Sequence, residues 1–310
     1  MPKFNPPFWV GDREFSAQDL AVMQTMAYRC RRLSRAEIAA TICEVLSWKA
    51  PNGHLKVEAC RELLGKLEVA GLVELPPLRS VTRPTNRDTQ AEPLPPLELE
   101  AHLASLRPVT LDEVSPDERR VWNASVAAYH PLGYRRPIGA HQRYWIRARH
   151  GDERIIVGAL LFGAAAKAVE ARDQWIGWTA HERSRYRWRI VNNNRFLILP
   201  GVHVPHLASH VLGQVLHRLP QDWLHRYGFA PVLLETFVEA PWAGTCYRAA
   251  NWQPVGLTAG RGRQDRHKTA RLPKKVIWMY PLHRQWRRLL LAPAPEPVSY
   301  DQDNEEDVWS

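Results

Sequence analysis

Ionisable and amide side chains that could do chemistry are concentrated between Asn192 and Arg263. There they stand beside apolar runs bounded by turn residues, the pattern of buried strands and their ends. Rigid α/β scaffolds usually present functional groups at such ends. The candidate catalytic residues are Arg195, His206, His210, Glu235 and Tyr247.

Glu235 is the strongest of these candidates, because it interrupts the apolar run 232–238. A buried carboxylate must be paired or have a perturbed pKa. Glu235 is therefore predicted to be a general base or a metal ligand, and the structural alternative is an ion pair with Arg195 or Arg248. Tyr247 suits a general acid or a nucleophile toward phosphodiesters, or simply a core tyrosine of a short helix.

His206 and His210 are four residues apart on a predicted helix over 206–219, so they are expected to share one face. With a carboxylate from Glu235 or Asp173, this spacing suits a divalent metal, although the chain has no H-E-x-x-H motif. Acid/base chemistry, phosphate contact and a structural role are the alternatives. The sequence assigns no metal ligand, and its cofactors are undetermined.

Arg195 and the asparagines before it are the candidate substrate-binding group. A partly buried arginine at the start of the predicted strand 195–199 needs an anionic partner, either a phosphate or Glu235. Asn193 and Asn194 are predicted to bind substrate, or to satisfy the backbone of the turn before that strand.

The charge of the chain indicates a polyanionic partner. The 310 residues carry a net charge of +10, although six of the last fifteen are acidic. A basic surplus attracts nucleic acid above all, and Arg-rich proteins can also simply be basic. The candidate nucleic-acid contacts are Lys56, Arg61, Lys66, Arg135, Arg136, Arg261, Arg263, Arg266 and Lys268.

Length and composition indicate a globular protein of two domains. No apolar run approaches the ~20 residues of a membrane span, and the first residues lack an apolar signal core. A cytoplasmic protein without membrane contact is therefore expected. The four cysteines have no paired spacing, so buried reduced thiols are expected in place of a zinc site.

Residues 1–78 read as a winged-helix domain that binds DNA or another protein. Helices are predicted over 16–27, capped by Ser16, from Ser34 with a Glu37 capping box, and over 57–70. A strand is predicted over 72–75. In such a domain the third helix enters the major groove, which places Lys56, Arg61 and Lys66 on its exposed side.

The rest of the chain reads as a linker, a second domain and a tail. Residues 79–110 form a Pro-rich linker, and 291–310 an acidic disordered tail. Residues 111–290 alternate helices and strands, which predicts an α+β fold with a mixed sheet covered by helices. One helix is predicted over 171–189. Its interleaved arginines and aromatic residues suit phosphates and bases, or a helix covering the sheet with its arginines in solvent.

Part of the second domain resembles the GNAT acyltransferase fold. The resemblance is carried by G-T-C-Y-R-A-A-N-W-Q-P-V-G from Gly244, which matches a short GNAT helix with a tyrosine that leads into the next strand. The GNAT loop for acetyl-CoA, R/Q-x-x-G-x-G/A, would follow Leu199, where this chain has P-G-V-H-V-P. Those glycines allow close approach to a pyrophosphate. The resemblance therefore implies the fold, and a CoA-dependent acyltransferase is the disfavoured alternative.

A second resemblance covers most of the chain. The phrases NNNRFLILPGV, LASHVLG, LLETFVE, GTCYRAANW and GLTAGRGRQDR, in this order, are similar to a bacterial family that includes protein A of the Druantia anti-phage system and transposon-associated relatives. This resemblance implies antiviral defence or mobile DNA, with defence-system or transposition proteins as partners. The expected function is nucleic-acid binding within such a system. The alternative is an enzyme that cleaves or modifies DNA.

Overall fold

The described part of the chain begins with a short β-hairpin followed by three helices. The structure is a computed structural model, and it describes residues 4–31, 33–50, 54–77, 91–137, 139–260 and 273–292. The N-terminal elements are β1 (Phe8–Val10), β2 (Arg13–Phe15), α1 (Ala17–Arg29), α2 (Arg35–Val45) and α3 (Val57–Val69). The three helices confirm the prediction, whereas the hairpin has no counterpart among the predicted elements.

Both predicted caps are confirmed. The Ser16 hydroxyl accepts a hydrogen bond from the Asp19 N–H, and the Asp19 carboxylate accepts one from the Ser16 N–H. Ser34 and Glu37 make the same reciprocal pair at the start of α2. Each box satisfies two backbone donors that a helix start would otherwise leave without partners.

The predicted strand over 72–75 is wrong. Residues 73–77 are in neither a helix nor a strand. The apolar side chains of Val73 and Leu75 are nevertheless buried, so their alternation reflects packing of an irregular segment and not pairing with a second strand. The winged-helix interpretation of 1–78 therefore lacks the strand that was expected after α3.

A seven-stranded mixed sheet forms the centre of the second half. The remaining strands are β3 (Leu99–Glu100), β4 (Thr110–Glu113), β5 (His141–His150), β6 (Glu153–Ala164), β7 (Ile190–Ile198), β8 (Val202–His203), β9 (Leu233–Glu239), β10 (Gln253–Leu257) and β11 (Lys275–Pro281). The order in the large sheet is β10-β11-β9-β7-β6-β5-β4, and β3 pairs separately with β8. The predicted α+β class with a mixed sheet is confirmed.

The junction between β7 and β9 divides this sheet. Among the described strands of the sheet, only these two neighbours run parallel, and their pairing covers just Ile190–Asn192 against Leu233–Glu235. Beyond that point, β7 continues against β6 and β9 continues against β11. The two strands therefore separate after Asn192, so the following residues of β7 are no longer paired with β9.

Helices cover both faces of the sheet. They are α4 (Arg119–Tyr129), α5 (Glu170–Ile176), α6 (Ala180–Tyr186), α7 (Leu207–Tyr227), α8 (Thr245–Ala249) and α9 (Trp286–Leu291). The single helix predicted over 171–189 is wrong, because Gly177 adopts φ +80° and ends α5. Thr179 then caps α6 through a box with Glu182. No helix within the described ranges is long and apolar enough to cross a membrane.

The N-terminal helices pack directly on the sheet half. The buried Arg187 guanidinium donates to the Glu44 carbonyl over 2.7 Å and to the Ala165 carbonyl over 2.9 Å, and it forms an ion pair with the Glu44 carboxylate. Part of the predicted linker is packed as well. Tyr129 donates to the Leu94 carbonyl, and β3 pairs with β8. The predicted tail, 291–310, lies outside the described residues except for its first two positions.

Candidate functional site

A β-bulge in β7 sets the direction of its polar side chains. Asn193 pairs with Phe162, whereas Arg195 pairs with the adjacent Leu161, so that Asn194 is the extra residue. Side chains of successive residues in a strand project to opposite faces, and a bulge therefore redirects the side chains of the residues after it. Without the bulge, Asn193 and Arg195 would share a face; with it, they point to opposite faces.

The prediction that Asn193 and Asn194 precede a strand that starts at Arg195 is wrong, because all three lie within β7. Gly163, opposite on β6, makes room for one of these side chains. A Cβ atom at Gly163 would lie 2.4 Å from the Asn194 Oδ1 atom. The absence of a side chain at Gly163 thus leaves the space that the side chain of the bulge residue Asn194 occupies.

A cavity of about 930 Å³ opens where β7 and β9 separate. Its walls are the polar stretch of β7, the segment 166–170 before and at the start of α5, and side chains from β9 and β11. Its lining includes Lys167, Asp173, Trp178, Asn192, Asn193, Asn194, Arg195 and Phe237. This volume falls within the ~300–1,000 Å³ of pockets that enclose small ligands.

Glu235 lies beneath this cavity in a buried ion pair. Its Oε2 atom is 2.8 Å from Arg172 Nη1, and neither side chain is exposed to solvent. Its Oε1 atom accepts from the Ala166 N–H over 2.7 Å. The expectation that a buried carboxylate must be paired is met, but the partner is Arg172 and not Arg195 or Arg248. Glu235 thereby holds the cavity wall at Ala166.

Asp173 completes this network. Its Oδ1 atom accepts from Arg172 and from the Trp178 indole N–H, and its Oδ2 atom accepts from the Val169 N–H and from Arg183. Burial lowers the pKa of Arg172, but Glu235 and Asp173 outweigh that effect and raise it. The positive charges of Arg172 and Arg183 are balanced by Glu235 and Asp173. The network therefore holds this wall of the cavity in place without adding net charge.

Arg195 has no such compensation. Its guanidinium donates to the carbonyls of Gly133 over 2.7 Å, Asn194 over 2.6 Å and Leu132 over 3.4 Å. No carboxylate in the described ranges forms an ion pair with it, so the predicted pairing with Glu235 is wrong. Burial and the positive charge of Arg135 lower the pKa of Arg195, yet an arginine stays protonated in proteins. A half-buried, uncompensated cation therefore faces the cavity.

Two asparagines of β7 have buried amide atoms without a hydrogen-bond partner in the described protein. Asn192 and Asn193 are 6% and 4% exposed, and neither Asn192 Oδ1 nor Asn193 Nδ2 has a hydrogen-bond partner in the described protein. Tyr247 Oη lies 3.4 Å from Asn193 Oδ1. Burial raises the pKa of Tyr247, so its hydroxyl is a neutral hydrogen-bonding group. Tyr247 and Asn193 are thus in contact, whereas Arg195 projects from the opposite face of β7.

The two histidines lie elsewhere. His206 is the residue before α7, exposed and with φ +66°, so the prediction that it lies on the helix is wrong. His210 lies in α7 with its Nε2 atom 3.2 Å from Gln214 Nε2, and partial burial followed by Arg107 lowers its pKa. No group of three His, Cys, Asp or Glu residues arranged for a metal occurs among the described residues.

The predicted nucleic-acid contacts fall into three groups. On α3 and at Lys56, the residue before it, each predicted basic contact has an acidic neighbour, in the pairs Lys56–Asp12, Arg61–Glu58 and Lys66–Glu62. Arg135 and Arg136 are exposed in the loop after α4, and Arg135 is close enough to Arg195 to affect its pKa. The remaining contacts, Arg261, Arg263, Arg266 and Lys268, lie outside the described residues.

Sequence reasoning missed the role of Arg172. The arginines of 171–189 were expected either to contact phosphates or to lie on the solvent face of a helix, but Arg172, Arg187 and Arg189 are all buried. The signal that was available is the pair Arg172-Asp173 directly after the apolar Val169 and Ala171. Adjacent opposite charges at the start of a helix that covers a sheet are consistent with a buried ion pair.

The segment 200–205, where the acetyl-CoA loop was sought, is joined to the predicted linker. The N–H of Leu99 donates to the Gly201 carbonyl, and the N–H of Leu97 donates to the Pro200 carbonyl. Gly201 has φ +80°, and a Cβ atom there would lie 2.5 Å from the Leu97 carbonyl oxygen. This glycine serves close packing of two chain segments.

The sequence matches the family described as Druantia protein DruA over residues 98–272, which confirms the predicted family resemblance. No curated protein matches the chain. Among solved structures, the microcin C7 self-immunity acetyltransferase MccE is 6% identical, with 46% of this chain and 61% of MccE covered and a TM-score of 0.28. The chain thus spans less than two thirds of MccE.

The alignment with this chain covers two further solved structures almost completely. A spermidine N-acetyltransferase chimera from Vibrio cholerae and hSSAT is 11% identical, with 56% of this chain and 95% of that chain covered and a TM-score of 0.35. The N-acyl amino acid synthase FeeM from uncultured soil microbes is 15% identical, with 57% and 97% covered and a TM-score of 0.32. Similarity at such TM-scores carries no conclusion about function.

Proposed function

The chain belongs to the family of Druantia protein DruA, and from this membership and the cavity beside β7 we propose that it is a nucleic-acid-binding component of a prokaryotic anti-phage defence system. The observation that carries the proposal is Arg195. A cation held by three carbonyls and left without a carboxylate favours an anionic ligand, because an unpaired charge that is partly buried costs free energy. A guanidinium suits phosphate in particular.

The residues around Arg195 favour a polyanion over a small anion as the ligand of the cavity. Lys167 on the cavity rim is exposed, and no described carboxylate pairs with it. Arg135 and Arg136 lie in the loop that also supplies the carbonyl partners of Arg195. Glu170 is the exposed acidic residue on the same rim. Together with the net charge of +10, this distribution favours successive phosphates of a nucleic-acid backbone.

The N-terminal helices support the proposal less well. The acidic partners of Lys56, Arg61 and Lys66 neutralise the face of α3 that would enter a major groove. Exposed pairs of this kind contribute little stability and can be exchanged for phosphate contacts. The winged-helix role of 1–78 is therefore a secondary part of the proposal, as are a cytoplasmic location and contacts with other defence or transposition proteins.

The enzyme alternative has weaker support in this geometry. Both oxygens of Glu235 are engaged by Arg172 and Ala166, and the pKa of Tyr247 is raised. A general base or a tyrosinate nucleophile would need the opposite conditions, namely an available carboxylate or a lowered pKa. The catalytic roles predicted for Glu235, Tyr247, His206, His210 and Arg195 remain predictions.

The test is salt-dependent binding of labelled single- and double-stranded DNA to the full chain, followed by fluorescence anisotropy between about 50 mM and about 200 mM salt. Arg195→Gln is expected to weaken binding roughly tenfold and to reduce the salt slope by about one. Arg149→Gln is the matched control, because it removes an exposed arginine at the β5–β6 turn, where it pairs with Asp152 and donates to the Gly151 carbonyl, away from the cavity; it should change little.

If Arg195→Gln disturbs the fold, Lys167→Gln takes its place, since Lys167 is exposed and makes no described ion pair. Circular dichroism and the melting temperature check folding of each variant. The proposal is overturned if the parent chain binds neither form of DNA at low salt. It is also overturned if both cavity variants bind as tightly as Arg149→Gln.

A further inference from the structure

Two partly exposed arginines lie in one row across the sheet. Arg143 on β5 pairs with Leu161 on β6, and Leu161 pairs with Arg195 on β7. Residues that pair directly across neighbouring strands project to the same face of a sheet. Since neighbouring strands are about 4.8 Å apart, the backbones of the two arginines are about 10 Å apart. Their side chains therefore leave one face of the sheet at a fixed separation.

The loop 130–136 holds both guanidiniums through neutral groups. Two of its carbonyls accept hydrogen bonds from Arg195, and the Tyr134 hydroxyl accepts one from Arg143 Nη2 over 3.1 Å. Arg143 also lies over the ring of Trp122 in α4, at 5.5 Å from the ring centroid. Carbonyls, a phenol and an indole fix the position of a guanidinium without neutralising its charge.

The electrostatic surroundings of both arginines are positive. Burial lowers the pKa of Arg143, and the positive charges of Arg119 and Arg226 lower it further. Burial and Arg135 act in the same way on Arg195. No carboxylate in the described part of the chain forms an ion pair with Arg143 or Arg195. Because both arginines stay protonated, this face attracts a ligand with more than one negative charge.

Both guanidiniums keep donors that a ligand can reach. A guanidinium has five N–H donors, and the three hydrogen bonds of Arg195 leave two of them unused. The Nε atom of Arg143 is buried and has no partner. Its Nη1 atom is neither buried nor hydrogen-bonded within the described protein, so the contact with a ligand falls to that atom.

We propose that Arg143 and Arg195 bind two phosphates of one single-stranded nucleic acid, which runs across the loop 130–136. The inference rests on the proposed function, because it assumes that the chain binds nucleic acid. It adds Arg143 as a second contact, and it gives the direction in which the strand leaves the cavity, from β7 toward β5 and α4.

The separation of the arginines favours a strand over a small anion. A distance of about 10 Å corresponds to about three nucleotides at a rise of about 3.4 Å each, so one phosphate cannot contact both guanidiniums. The exposed Arg135 belongs to the loop between them. A single strand can follow this loop to partly buried groups on either side of it, as strands follow basic grooves in other proteins. A rigid duplex cannot bend over so short a distance.

The experiment compares strands of different length on the full chain. Binding of thymidine oligonucleotides is followed by fluorescence anisotropy, and a dinucleotide is measured by competition. Arg143→Gln is expected to weaken binding of a strand of about twelve nucleotides roughly tenfold and to reduce the salt slope by about 0.7. The dinucleotide is too short to reach both arginines, so it should bind to the parent chain and to Arg143→Gln with equal affinity.

Arg218→Gln is the matched control, because Arg218 lies on the opposite face of the sheet. It pairs with Asp222, which accepts from the hydroxyl of Tyr144, the residue after Arg143 in β5. Its affinity for the longer strand should stay within a factor of about two of the parent. Circular dichroism and the melting temperature check folding. If Arg143→Gln does not fold, Arg119→Gln takes its place, since Arg119 is exposed and close to Arg143.

The outcomes separate this inference from the proposed function. If Arg143→Gln, or Arg119→Gln in its place, binds the longer strand as tightly as Arg218→Gln, the inference is overturned while nucleic-acid binding stands. The same holds if only duplex DNA binds, or if the dinucleotide loses as much affinity as the longer strand. If the parent chain binds neither form of DNA, the inference and the proposed function both fail.

Discussion

Arg172 and Glu235 form an ion pair in which neither side chain is exposed, with 2.8 Å between Nη1 and Oε2. The pair joins the first turn of α5 to the middle of β9, and through the Ala166 N–H it also fixes the segment that walls the cavity. Removing two charges from water is costly, and only close geometry with further hydrogen bonds offsets that cost. Removing one partner of the pair should therefore lower the free energy of unfolding much more than replacing both partners by apolar residues.

Glu235→Gln is expected to lower the free energy of unfolding by about 3–5 kcal/mol, because it leaves Arg172 with Asp173 as its one remaining buried anion. Urea unfolding followed by circular dichroism measures this change. The double variant Arg172→Met with Glu235→Leu should lose less free energy of unfolding than Glu235→Gln alone. Glu153→Gln, at an exposed position of β6, should stay within about 0.5 kcal/mol of the parent. A similar loss of stability in Glu235→Gln and Glu153→Gln would contradict the stabilising role of the buried ion pair.

The stability of the chain should fall between pH 6.5 and about 4 because of His130. Burial, and then the positive charge of Arg195, lower the pKa of His130 from 6.5 to about 4 in the folded chain. Over this interval the unfolded chain binds a proton that the folded chain does not, so folding stability decreases as the pH falls. Neutral His130 also accepts from the Leu132 N–H through Nδ1, a bond that protonation breaks.

His130→Gln should flatten the dependence of the urea midpoint on pH over that interval. His141 has its pKa lowered to about 4 as well, chiefly by burial, so the combination with His141→Gln should flatten it further. Midpoints measured at several pH values between these limits provide the check. An unchanged slope in the double variant would show that other groups cause the acid sensitivity.

Arg187→Met should loosen the N-terminal helices from the sheet half. The substitution removes the bonds to the Glu44 and Ala165 carbonyls and leaves the Glu44 carboxylate without its partner, with an expected loss of about 3 kcal/mol. Three buried cysteines of the N-terminal half, Cys30, Cys43 and Cys60, provide a local readout. Their reaction with a thiol reagent should accelerate more than that of Cys246.

The control for this variant is Arg149→Met, which removes an exposed arginine with a 3.7 Å ion pair. It should leave the labelling rates of all four thiols within a factor of about two, since such pairs contribute little. If Arg187→Met accelerates labelling of Cys246 as strongly as that of the other three, the arginine supports the whole fold and not this contact in particular.

Gly244→Ala should destabilise the chain by about 2 kcal/mol or more. Gly244 has φ +68°, and a Cβ atom there would lie 2.7–2.8 Å from ring atoms of the buried Trp278. Gly213→Ala is a control of opposite sign, because that glycine lies inside α7 with nothing within 4 Å of the added atom. It should stabilise by roughly 0.5–1 kcal/mol. Thermal unfolding of both variants measures the difference, and equal melting temperatures would contradict the steric argument.

Local signals predicted much of the secondary structure. The cap at Ser16 and the box of Ser34 with Glu37 depend on residues close in sequence, and the run at 232–238 combines apolar content with turn residues at both ends. In contrast, asparagines are rare in strands, so Asn192–Asn194 were expected in a turn. Their place in β7 is determined by pairing with β6, about 30 residues earlier in the chain for Asn193 and Phe162.

The site was harder to predict than the fold, because its contacts join distant segments. Glu235 was identified as a buried carboxylate from its apolar neighbours, but its partner Arg172 is 63 positions away. The direction of Arg195 depends on a bulge, which no local pattern indicates. The charge surplus predicted a polyanion without revealing that the basic side chains of α3 have acidic partners.

The short junction of β7 and β9 has a mechanical consequence. It joins the two antiparallel parts of the sheet, β4–β7 and β9–β11, through three residue pairs. The sheet can therefore bend at this junction with the loss of few hydrogen bonds. Residues of both parts line the cavity, among them Asn194 on β7 and Phe237 on β9, so a ligand in the cavity would connect the two parts and restrain this bending. The amide hydrogens of residues 190–192 should exchange with solvent through this local bending, at a rate that such a ligand lowers.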